Sequence, residues 1–165
     1  MSDEAANPNE AADPNEAADA TENMRFGVQR MYVKDSSFES PRAPLVFQDP
    51  WKPKMHLDLN TRSEVVQDEV YEVVLSLTLR VTDEEDRTVY IIEVQQAGIF
   101  SISGLDADSL QRVQATACPA ILFPYGRETI DTMAVKGSFP PVLLAPVNFD
   151  ALYQQNIGQQ DQTKH

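Results

Sequence analysis

From Tyr71 to Val81 the chain alternates. Tyr71, Val73, Leu75, Leu77, Leu79 and Val81 are apolar, and Glu72, Val74, Ser76, Thr78 and Arg80 fall between them. A period of two predicts a strand with the first set on its buried side. A charged turn at residues 82–86 leads into a second extended run, residues 88–103. There Tyr90, Ile92, Val94 and Gln96 share one face, and Val89, Ile91, Glu93 and Gln95 the other. The two runs predict an antiparallel hairpin. An earlier pair of strands is predicted over residues 25–38 and 54–66, the second with Met55, Leu57, Leu59 and Thr61 in register. Residues 39–51 between them hold Pro41, Pro44 and Pro50, which excludes a central strand or a helix interior. A long, proline-stiffened crossover loop carrying Leu45, Val46, Phe47 and Trp51 is predicted instead.

The period then changes. Leu110, Val113, Ala117, Ile121 and Leu122 recur at helical spacing, and Pro119 and Pro124 should kink or break that pattern. Residues 125–135 continue it as far as Gly137. Asn148 is a good N-cap with Asp150 in the first turn behind it. Phe149, Leu152, Tyr153, Asn156 and Ile157 follow as one apolar-centred stripe. Four strands followed by helices make an α+β architecture.

The ends differ from this middle. Ala-Ala-Asn-Pro-Asn-Glu at 5–10 returns as Ala-Ala-Asp-Pro-Asn-Glu at 11–16, and residues 1–23 hold seven acids and no Lys or Arg. Such a segment buries too little apolar surface to offset its ordering entropy. The predicted organisation is a disordered acidic tail (1–23), one domain (24–157) and a flexible polar tail (158–165). Net charge is −13, and without the first tail 13 basic residues still face 19 acidic ones. That excess argues against nucleic acid and against an anionic membrane surface. No apolar run reaches the ~18 residues of a membrane span, and the N-terminus has no basic-then-apolar leader. A soluble, cytoplasmic protein is predicted, and the single cysteine, Cys118, fits a reducing compartment as a buried structural thiol.

Candidate chemistry is sparse. The two histidines are His56, on the polar side of its strand beside Asp58, and the terminal His165. With one cysteine they cannot build a usual zinc site, and no metal or cofactor is predicted. Gly98 and Gly104 lack a phosphate-cradling motif. The acidic run 83–86 reads as a solvated turn, and Asp68 and Glu69 point apart on a strand. No catalytic constellation emerges, so the chain is not expected to be an enzyme. Residues 89–96 are apolar on both faces, which fits either cover by another subunit or a lone exposed Ile91. Phe47, Trp51, Phe149 and Tyr153 fit either core packing or a groove for apolar peptide segments.

Longer runs carry a resemblance. Residues 29–41 (Gln-Arg-Met-Tyr-Val-Lys-Asp-Ser-Ser-Phe-Glu-Ser-Pro), 70–75, 93–102 (Glu-Val-Gln-Gln-Ala-Gly-Ile-Phe-Ser-Ile), Cys118-Pro119, 121–128 and 144–153 (Leu-Ala-Pro-Val-Asn-Phe-Asp-Ala-Leu-Tyr) together resemble the SecB family of export chaperones, in order, from about Phe26 to Tyr153. Gly126 departs from the family, which often has Ala there.

The resemblance implies a four-stranded antiparallel sheet with C-terminal helices packed on one face, assembling as a dimer of dimers. It implies an ATP-independent chaperone that binds unfolded precursor proteins and delivers them to SecA, the translocation ATPase, without membrane insertion of its own. Carried over by position, it puts docking of SecA's zinc-binding C-terminal tail on Asp35, Glu39, Ile91 and Glu93. The client groove falls on Trp51, Met55, Leu57, Leu59 and Tyr153. The tetramer interface falls on Tyr90, Ile92, Val94 and Gln96, so that a charge at Ile92 or Val94 would shift tetramer to dimer. A small-molecule-binding or regulatory α+β domain using the same groove is the competing reading.

Overall fold

The period-two runs become four strands: β1 (Arg25–Glu39), β2 (Lys54–Gln67), β3 (Val70–Thr82) and β4 (Thr88–Ser103). They are seen in a computed structural model that describes residues 23–162, so nearly all of the acidic repeat lies outside the described residues. The sheet order is β1-β4-β3-β2, antiparallel throughout. β1 and β2 are therefore not partners. They occupy opposite edges, and the 40–53 crossover carries the chain from one edge to the other, with a 3₁₀ turn at Leu45–Gln48. The centre goes to β3 and β4, the most apolar strands, which bury both neighbours' pairing groups.

Register fixes the faces. Leu75 lies opposite Gln96, Leu77 opposite Val94, Leu79 opposite Ile92 and Val81 opposite Tyr90. All eight are buried on the side that the helices cover. β1 is bulged between Val28 and Arg30 and between Val33 and Asp35, which keeps a long edge strand following the twist of its neighbour.

Asp106 caps α1 (Ala107–Ala115) by accepting the Ser109 N–H at 2.7 Å. The break comes at Thr116, just before the first proline. A continuous helix would drive the Pro119 ring into the carbonyl of Ala115. Restarting at Ala117 places Pro119 in the first turn of α2 (Ala117–Lys136), where no intrahelical N–H is needed. Pro124 sits inside α2 and does not end it, contrary to a break there. Gly137 closes the helix by donating to Met133 O at 2.9 Å. Asn148 caps α3 (Phe149–Gln162) as expected, its Oδ1 accepting Ala151 N–H at 3.0 Å. This helix is continuous across residue 158, where the sequence places the start of a tail.

The core lies between α2 and the central strands. Cys118, Leu122, Ile130 and Ala134 are fully buried there. A Cβ on Gly126 would sit 2.5 Å from Leu77 Cδ1 and 3.5 Å from Gln96 Cβ. Glycine's helix penalty of ~1 kcal/mol is thus offset by the close approach of α2 to the sheet.

Candidate functional site

The helices cover β3 and β4 and leave the helix-side row of β2 partly bare. Leu57 pairs with Leu79 and Leu59 with Leu77, yet the β3 residues are fully buried while Leu57 and Leu59 are half-buried and Met55 is 46% exposed. α3 supplies the facing wall: Phe149, Leu152 and Tyr153 line a recess with Leu59 and Thr61. The structure thus brings Leu59 and Tyr153 together, with Leu57 and Met55 continuing the row along the strand. Trp51 stands at the far end, 43% exposed. It stacks on Phe139 at 5.8 Å between ring centroids, and Phe47 meets the same ring at 5.3 Å. Phe139 reaches inward to Tyr90 at 4.6 Å. Leu152, which lines the recess, and Phe139, the buried ring on which Trp51 and Phe47 pack, were not singled out by sequence reasoning; the only signal was an apolar side chain between Gly137 and Pro140, and an apolar position beside the Tyr153 already chosen.

The crossover loop that carries Trp51 is anchored by charge. Asp83 accepts Arg42 Nη1 at 2.9 Å and Arg87 Nε at 2.8 Å, and the backbone N–H groups of Glu85 and Arg87 at 3.0 Å each. Arg42 Nη2 also holds Asp49. Burial opposes ionisation of Asp83, but the hydrogen bonds from Arg87 and Glu85 outweigh it and hold its pKa below the usual value. The expectation of a solvated turn at 83–86 is corrected at this residue: Glu84, Glu85 and Asp86 are exposed, and Asp83 is buried.

The uncovered side of the sheet is polar. Asp35, Glu39, Ile91 and Glu93 all lie on it, gathered on the β1–β4 pair: Glu39 is opposite Ile91, Ser37 opposite Glu93, and Asp35 opposite Gln95. Ser37 Oγ donates to Glu93 Oε2 at 3.4 Å. The three carboxylates are exposed, and Ile91 is half-buried. His56 Nε2 is 3.1 Å from Asp58 Oδ1, both in solvent. Among the described residues no cluster of His, Cys, Asp and Glu could hold a metal, and no helix is long and apolar enough to cross a membrane.

Tyr90, Ile92, Val94 and Gln96 sit elsewhere than expected. All four are buried inside the protomer beneath α2, at 0–3% exposure, so they cannot be contact residues of a second subunit in this structure. Gln96 Nε2 donates to Tyr32 O at 3.1 Å. Among the described residues the Tyr90 hydroxyl has no hydrogen-bond partner, and burial together with Asp131 pushes its pKa up to about 12. Nor does the other face need a subunit to cover Val89: this residue is bulged and packs with Val46 of the crossover loop.

Comparison with known proteins agrees with this architecture. The family model described as "Preprotein translocase subunit SecB" matches residues 19–160. The chain is 53% identical over 135 residues to the protein-export protein SecB of Hahella chejuensis, covering 82% of this chain and 84% of that one. To its counterpart in a Marinomonas species it is 52% identical over 136 residues, covering 82% and 85%. Among solved structures, the SecB-like chaperone of Mycobacterium tuberculosis, in complex with a ChAD peptide from an antitoxin, shares the fold at a TM-score of 0.64 and 19% identity, over 75% of this chain and 91% of that one.

Proposed function

The chain belongs to the SecB family of protein-export chaperones, which is not a family of enzymes, and from that premise we propose how its surfaces divide the work. Unfolded precursors bind along Trp51, Met55, Leu57, Leu59 and Tyr153. The observation that carries this is the bare apolar row on β2: the same alternation is fully covered on β3 and β4. An apolar strip open along a sheet edge takes extended chain with little sequence preference, and a folded client has no such chain to offer. Selectivity is then for foldedness, with no nucleotide consumed, and wrapping of one client over several grooves raises affinity through effective concentration.

Delivery to SecA in the cytoplasm uses the opposite side of the sheet. The exposed carboxylates Asp35, Glu39 and Glu93 around Ile91 suit a basic module such as SecA's zinc-binding tail, by contacts that steer association and weaken with salt. Assembly as a dimer of dimers is supported by β1, an edge strand whose Phe26, Val28 and Val33 are exposed. Tyr90, Ile92, Val94 and Gln96 would act on assembly through the seat of α2, whose outer face shows Tyr125 and Val135 to solvent.

The test is a titration of the purified full chain against a chemically unfolded, slow-folding precursor, read by light scattering and by complex mass. Suppressed aggregation near one tetramer per client, without ATP and absent with the folded client, is the expected result. A well-folded protein that holds no unfolded client would sink the reading. Glu93→Lys should weaken docking to SecA while client capture stays at the wild-type level; equal loss of both would remove the docking assignment.

A further inference from the structure

The crossover loop has no regular structure beyond its 3₁₀ turn, yet it carries the two aromatic side chains at the end of the groove, Phe47 and Trp51. Packing of Val46, Phe47 and Trp51 holds it from one side, and Ser40 Oγ donates to Val89 O at 2.9 Å. Beyond the exposed Lys52–Glu84 pair at 3.6 Å, what ties it to the β3–β4 turn is a network of four charged side chains. Arg42 and Asp49 come from the loop, and Asp83 and Arg87 from the β3–β4 turn. Arg42 and Arg87 both bind Asp83, at 2.9 and 2.8 Å, and both also face Asp49, Arg87 Nη2 at 3.9 Å. Asp83 is the hub, its side chain only 12% exposed. The same two carboxylates wall a small pocket with Val46, Pro50, Trp51 and Val89, so the ion pairs and the tryptophan share one packing unit. Backbone bonds add little on the turn side: the loop's own, such as Val46 N to Arg42 O at 3.1 Å and Asp49 N to Val46 O at 3.3 Å, stay within the loop.

We infer that Arg42, Asp83 and Arg87 are positioning residues for the client groove: their ion pairs latch the crossover loop to the β3–β4 turn and so hold Trp51 at the groove's end. This rests on the chaperone reading for its consequence but not for its geometry. Charge-assisted hydrogen bonds of this length are directional and hold a loop in one arrangement where apolar contacts alone would allow several. A loop already ordered before a client arrives does not have to be ordered by it.

The chain's single tryptophan is Trp51, so its emission reports on this loop alone. The experiment compares full-length wild type with Arg42→Gln, Arg42→Lys and Asp83→Asn by Trp51 emission, acrylamide quenching, thermal midpoint, assembly mass and capture of an unfolded precursor. Arg42→Gln should shift Trp51 emission to the red and raise quenching about twofold. Client capture should weaken about tenfold, equivalent to about 1.4 kcal/mol, with assembly mass unchanged. Arg42→Lys, which keeps the charge, should recover part of both readouts. Asp83→Asn should reproduce the change; if it lowers the thermal midpoint so far that the chain is not folded, Arg42→Gln decides. Unchanged Trp51 emission and quenching in Arg42→Gln would overturn the latch. Altered emission with unaltered client capture would overturn the positioning role. A wild type that captures no client would instead count against the chaperone reading, and the emission results would still judge the latch.

Discussion

β4 and β2 are written in the same pattern and end in different places. Each has apolar side chains at every second position on the helix side of the sheet: Tyr90, Ile92 and Val94 on β4, and Met55, Leu57 and Leu59 on β2. On β4 the row is sealed beneath α2. On β2 it is half-open, because α2 crosses the centre of the sheet and α3 stands off the edge with a recess between them. The difference teaches that an apolar row is core or site according to what covers it. Burial of the β4 row stabilises the protomer at roughly 25 cal/mol per Å², and the half-open β2 row leaves part of that free energy unrealised within the protomer.

Substitutions that treat the two rows alike should separate them. The largest effect is expected for Val94→Asp, which buries a charge without a partner and should cost about 4 kcal/mol or more, seen as loss of cooperative urea unfolding or of soluble protein. A folded variant of unchanged midpoint and halved mass would break the comparison and return Val94 to a subunit interface. Gly126→Ala comes next. It gains ~1 kcal/mol of helix propensity and should lose more through overpacking against Leu77, ~1–3 kcal/mol, for a lower urea midpoint. Leu77→Val removes the δ-carbon that a Cβ would strike, so the double variant should recover about 1 kcal/mol of coupling in a double-mutant cycle. Additive effects would mean that α2 does not sit as close as described.

Met55→Asp, on the open row, should change stability by no more than about 0.5 kcal/mol while reducing capture of unfolded precursor severalfold. A large fall in midpoint would show that the β2 row is covered after all. The smallest effect concerns Cys118, buried with the covered row, whose thiol burial pushes up to about 12. The native protein should resist iodoacetamide at pH 8 and react fully in urea, as judged by mass spectrometry. A raised pKa means that the neutral thiol is the form favoured by folding. Its contribution is present below the ordinary value of 9.0 and is lost as pH rises from there toward about 12.

Much of this was legible in the chain. The alternation at 71–81 and 88–96 marked the central strands and their faces, and the Asn148 cap and the 149–157 stripe marked the last helix. Glu93 shares the strand parity of Ile91 and so its side of the sheet; Asp35 and Glu39 were set beside them by the resemblance alone, and it is the β1–β4 register that brings them to the same side. The four tetramer residues were placed wrongly as contacts because parity says which side chains share a face, not which face the helices take. Asp83 was read as solvated although its bonds from Glu85 and Arg87 are local; the partner that covers it from the crossover loop, Arg42, lies 41 positions away, beyond any local rule.

What the sequence by itself determined is local: the two periods, the helix caps, the loop made by three prolines, and the acidic balance. Each follows from backbone geometry within a few residues. Only the tertiary structure decided that β1 and β2 lie at opposite edges, that α2 seals β4 and leaves β2 open, and that Arg42 meets Asp83. Those outcomes depend on which distant surfaces bury each other best, and that free energy belongs to pairs of segments rather than to either one alone.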